Sequence, residues 1–199
     1  MSNSIKIAAL ISLSIIAVAA YMIFSAPADV DFDSLDSQPA LADHMNTSYL
    51  IDGVQVELIN GYSEVEITPD SAATKITRYF GNELVMDLDG DADDDIAFIL
   101  SQETGGSGVF YYAVAALNTD NGYVGSDGYL LGDRIAPQST DPSPNPRHQN
   151  VVVFNYLDRL PDESMITQPS VGQSVYLKLS PETMQWGIVE PDFAGESAL

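Results

Sequence analysis

The chain has 199 residues and no cysteine, and its 29 Asp plus Glu against seven Lys plus Arg give a formal charge of −22. That balance argues against nucleic acid or anionic lipid headgroups as partners, because phosphate contacts need a basic face. The missing thiols exclude disulfide staples, cysteine catalysis and lipid attachment through cysteine. An acidic surface of this kind suits a cation-rich exterior, and salt adaptation for solubility produces the same imbalance.

The first element is Ile7 to Phe24, an 18-residue stretch without charge or proline. A secretory h-region is about 7–15 residues long and a spanning helix about 17–25, so residues 1–24 read as a signal anchor. Ala26-Pro27-Ala28 supplies the alternative, a signal peptide cleaved after Ala28 and a secreted product. Lys6 before the stretch and acidic residues after it put the N-terminus in the cytoplasm and the rest outside. The expected attachment is therefore to the cell membrane by a single pass. Residues 25–48, rich in Asp, Ala, Ser and Pro and without a sustained period, read as a flexible tether. His44 falls in that tether.

Residues 49–190 have the texture of a β domain, followed by a tail at 191–199. Tyr49–Ile51 and Val54–Ile59 flank Asp52-Gly53, a hairpin signal, and Asn60-Gly61 leads into Tyr62–Ile67. Thr74–Phe80 reads as a strand, with a short helix over Ser71–Arg78 as the competing assignment. Ile96–Gln102, Val109–Asn118 and Tyr123–Leu131 follow as an antiparallel meander. Pro137–Pro146 contains four prolines and reads as a long irregular excursion, with His148 in the same loop just past its last proline. Val151–Leu157, Val175–Leu179 and Met184–Val189 complete the pattern. The expected fold is all-β, a small antiparallel β-sandwich or curled sheet preceded by an apolar helix.

The densest chemical signal is Asp87 to Asp95, where six of nine residues are aspartate. Asp87, Asp89, Asp91 and Asp95 at positions one, three, five and nine can curl round one hard ion, and Asp93 at position seven offers its backbone carbonyl. Calcium, with six to eight oxygens at about 2.3–2.6 Å in flexible geometry, suits this set better than octahedral magnesium. An EF-hand is excluded because its twelfth position demands a bidentate Glu and Phe98 stands there.

This loop, the apolar run after it and Val109–Asn118 resemble one blade of the FG-GAP/VCBS (integrin-type) calcium repeats. They also resemble small exported bacterial proteins with one such loop, a Gly-Gly-Ser-Gly turn (Gly105–Gly108) and a Leu-Gly-Asp-Arg segment (Leu131–Arg134). The resemblance covers residues 75–136 and implies metal binding without an activity. Family loops usually carry glycine at position six, where this chain has Ala92. One copy cannot close a propeller, which needs several blades.

Catalytic signals are sparse. Gly105–Gly108 is neither a nucleophile elbow nor a phosphate loop, and no carboxylate pair stands out among so many. Asp133-Arg134 and Asp158-Arg159 read as structural bridges or sheet-edge caps. Tyr111, Tyr112, Tyr123 and Tyr129 form a candidate aromatic platform for a sugar or protein, although alternation sends Tyr111 and Tyr112 to opposite faces. The expected role is a non-catalytic, calcium-binding module recognising a protein or glycan at the cell surface. The alternative is an extracytoplasmic metal-assisted hydrolase using carboxylates, which a cleft and an open coordination position beside Asp87–Asp95 would favour. A closed shell under packed strands would favour a structural ion.

Overall fold

A computed structural model describes residues 43–68 and 73–191. The apolar stretch, most of the tether and the tail from 192 onward lie outside the described residues. What is described is all-β, twelve strands with every named pairing antiparallel.

The first strands, β1 (Ser48–Ile51) and β2 (Val54–Glu57), form a hairpin. Asp52 and Gly53 both have positive φ, 51° and 76°, as a type I′ turn requires. Asn60 and Gly61 repeat the device at 52° and 75° before β3 (Tyr62–Glu66). The larger sheet runs β3, β4 (Thr74–Met86), β5 (Asp95–Glu103), β6 (Val109–Thr119) and β7 (Gly122–Gly125), with β8 (Tyr129–Asp133) on the same side of β6 as β7. The second sheet is ordered β12 (Gln185–Ile188), β11 (Val171–Ser180), β10 (Val151–Asp158), β9 (Ala136–Pro142).

β5 and β6 are covered on both faces. Ala97, Ile99, Ala113, Ala115 and Leu117 cluster with Val152, Phe154, Leu177 and Leu179 of the second sheet. Their alternates Phe98, Leu100, Tyr112, Val114 and Ala116 cluster with Tyr49, Ile51, Val56 and Leu58 around the hairpin. Burial on both sides is why these strands read as continuous apolar runs without alternation.

Four expectations are corrected. Tyr123–Leu131 is not one strand: β7 and β8 are separated at Ser126–Gly128, which leaves β6 to bond the hairpin. Leu50 N–H donates to Ser126 C=O at 3.2 Å and Gly128 N–H donates to Leu50 C=O at 2.8 Å. Glycine is required here, since a Cβ on Gly125 would lie 2.2 Å from the Ser48 carbonyl oxygen.

The proline-rich stretch is half strand. β9 is an edge of the second sheet, where proline's missing donor is tolerated, and only residues 143–150 are irregular. In the contested stretch at Ser71–Arg78, the described residues from Thr74 are strand. The tyrosine platform does not form either. Tyr112 is buried, Tyr111 and Tyr129 pack on one core cluster, and Tyr123 packs on the other.

Residues 43–47 are bound to the domain. Gly61 N–H donates to Met45 C=O (2.8 Å), Leu58 N–H to Thr47 C=O (3.0 Å) and Tyr49 O–H to His44 C=O (2.5 Å). The tether reading fails for this stretch because a polar, aperiodic sequence does not reveal backbone bonds to distant partners.

Candidate metal centre

The aspartate loop connects β4 to β5, and two residues pin it. Leu88 is buried among the residues between the sheets. Asp95, the first residue of β5, is fully buried. Its Oδ2 accepts the Leu88 N–H at 2.8 Å, and its Oδ1 accepts the Asn118 N–H at the far end of β6, also at 2.8 Å. Burial pushes the Asp95 carboxyl above its usual range and the charges on Asp89 and Asp91 add to this, while the two backbone donors pull it back.

Carboxylate oxygens of Asp87, Asp89 and Asp95 lie within 4.8 Å of one another. Asp87 and Asp89 are half-buried. The Asp87 carboxylate also folds the loop, Oδ1 accepting the Gly90 N–H at 2.5 Å and Oδ2 the Ala92 N–H at 3.2 Å. Three carboxylates this close repel one another, and an all-oxygen set is the donor chemistry of hard divalent cations.

Of the five aspartates expected around an ion, the structure groups these three. Asp91 and Asp93 are exposed and outside the group. The Asp91 carboxylate instead accepts the Asp93 N–H at 2.8 Å. Ala92 adopts φ 76°, so the loop keeps the left-handed turn at position six although the residue there has a Cβ.

Beside the loop lies an open cleft of about 510 Å³, lined in part by Asp89, Asn150, Lys178, Ser180 and Glu182. The site is thus buried on the Asp95 side and open on the other.

The remaining polar candidates are structural. Arg134 pairs with the adjacent Asp133 at 2.9 Å. Arg159 donates to the Arg134 carbonyl at 2.8 Å and to the Thr167 carbonyl at 2.5 Å. His148 is held at both ring nitrogens, Nδ1 2.8 Å from Ser143 Oγ and Nε2 3.3 Å from Asn145 Nδ2. The Asn145 Oδ1 accepts the Arg147 N–H, so these side chains tie the turn at residues 143–148 together.

Comparison with protein-family models, with curated proteins and with solved structures finds no match to this chain.

Proposed function

We propose that this chain is an extracytoplasmic, membrane-tethered binding module whose Asp87–Asp95 loop holds one calcium ion, with a non-catalytic role at the cell surface. The convergence of Asp87, Asp89 and Asp95 at the junction of β4, β5 and the end of β6 carries the reading. An ion there neutralises crowded carboxylates and ties the loop to the core of the sandwich.

Thermal unfolding of the full chain with calcium, magnesium or chelator at fixed ionic strength tests it, since an ion bound only to the folded state raises stability. A calcium-specific rise supports the reading, and identical curves overturn it. The cleft beside Asp89 favours a second reading, the metal-assisted hydrolase. Calcium-dependent hydrolysis of chromogenic esters or glycosides, abolished by Asp89→Asn, would establish that alternative.

A further inference from the structure

The outer face of the second sheet carries two rows of side chains across three strands. In the first, Ser139, Asn155 and Ser174 are register partners on β9, β10 and β11. In the second, two residues along, stand Asp141, Val153 and Tyr176. The polar groups form one network. Asn155 Nδ2 lies 3.1 Å from Ser139 Oγ and 3.0 Å from Asp141 Oδ2, Ser139 O–H donates to Asp141 Oδ2 at 2.6 Å, and Ser174 O–H donates to Asn155 Oδ1 at 2.5 Å.

Beside it the chain leaves β9 at Pro142 and returns as β10, whose Val151 and Val153 are buried although they alternate with the core-facing Val152 and Phe154. Ser143, Asn145 and His148 clamp this excursion, and the His148 ring packs edge-on against Tyr176 with centroids 6.0 Å apart. The result is a pocket of about 250 Å³, walled by Pro142 and Pro144 and floored by Asp141, Val153, Asn155 and Tyr176.

We infer that this pocket binds a neutral pyranose unit of a glycan, with Tyr176 and the proline rings against the sugar's C–H face and Asp141 and Asn155 bonding its hydroxyls. The Asp141 carboxylate has acceptor capacity beyond the two bonds that hold it in place, and the network fixes its direction before a ligand arrives. Among the described residues no cation lines the pocket, so phosphate, sulfate and uronate lack a counter-charge there while facing a carboxylate. A single tyrosine falls short of the aromatic cage that recognises quaternary ammonium groups. The volume suits one ring, below the range of drug-sized sites. The inference gives the proposed surface module its ligand class and does not depend on the calcium loop.

The test is titration of the full chain with neutral methyl hexosides and their short oligomers, with methyl glucuronide and choline as comparison ligands, each with calcium and with chelator. We expect at least one neutral sugar to bind with Kd of order 1 mM, equally in both media. Tyr176→Ala and Asp141→Ala should each weaken it about tenfold or more, and Tyr176→Phe should retain it, each variant being titrated well below its own melting transition. Absence of neutral-sugar binding, preference for glucuronide or choline, or indifference to Tyr176→Ala and Asp141→Ala overturns the inference. Sugar binding that vanishes with chelator also overturns it, by moving recognition to the aspartate loop. The melting curves of the same samples report separately on the calcium reading.

Discussion

His44 Nε2 lies 2.6 Å from Glu83 Oε1 on β4, joining the start of the domain to the larger sheet. The imidazole stands edge-on to Tyr79, Phe98 and Tyr123, with centroids 5.9, 5.3 and 6.3 Å away. Removing a ring packed this closely leaves a cavity, so His44→Ala should cost about 2–3 kcal/mol in urea unfolding. Glu83 is about one-third exposed (35 %), and Glu83→Gln should cost under about 1 kcal/mol. Equal losses would mean that the Glu83 contact, and not the packing, fixes His44.

Asp95 and Asp91 should part company on substitution. Asp95→Asn in metal-free protein sets an amide N–H against a buried backbone donor and should lose about 1–3 kcal/mol, whereas exposed Asp91→Asn should change stability by less than about 0.5 kcal/mol. In calcium, Asp87→Asn and Asp89→Asn should abolish the rise in melting temperature while Asp91→Asn keeps most of it. Melting curves of the four variants, with and without the ion, decide whether the Asp91 carboxylate joins those of Asp87, Asp89 and Asp95 in binding.

Ala92 holds a left-handed conformation that costs an L-residue about 1–2 kcal/mol. Glycine has no such penalty but loses more chain entropy on folding. The net expectation for Ala92→Gly is about 0.5–1 kcal/mol of stabilisation, a rise of roughly 1–4 °C. Gly90 is at φ 95°, and Gly90→Ala should move the melting temperature the opposite way.

The buried tyrosines should make the fold sensitive to alkali. Burial and a hydrogen bond to Glu83 push Tyr79 up to about 12. Burial pushes Tyr49 and Tyr112 higher still, with help from Asp43 and Asp52 respectively. Because the folded values exceed the unfolded value of about 10, folding favours the neutral phenol. That contribution is complete below about pH 10 and is lost as pH rises through the folded values. Phenolate absorbance should therefore climb in two stages, the later one coinciding with loss of near-ultraviolet circular dichroism. A single transition at the ordinary value would contradict the burial of these rings.

Much of the architecture was legible from local chemistry. Asp52-Gly53 and Asn60-Gly61 announce their turns because φ > 0 at both positions selects those residues, and the unbroken apolar runs of β5 and β6 signal burial on both faces. The break at Ser126–Gly128 was hidden, because its cause is a hydrogen-bonded partner some 75 residues earlier in the chain. In the metal centre the alternation of aspartates singled out the loop. It did not separate Asp87 and Asp89, turned toward Asp95, from Asp91, whose carboxylate is occupied by a local turn. The Asp141–Tyr176 pocket left one faint sign, the cluster of prolines that ends β9 and walls it.

The bonds of residues 43–47 also define where an independent folding unit can begin. A fragment cut at Ser48 would keep every strand yet strip the partners from the Leu58 and Gly61 amides and empty the ring box around His44. The hairpin would then be secured by Leu50, by the Tyr112 O–H donated to Asp52 and by its apolar face, and the turn from Leu58 to Gly61 would lose its bonds to the preceding stretch. Autonomy of the β unit therefore depends on the stretch ahead of its first strand that carries His44, Met45 and Thr47.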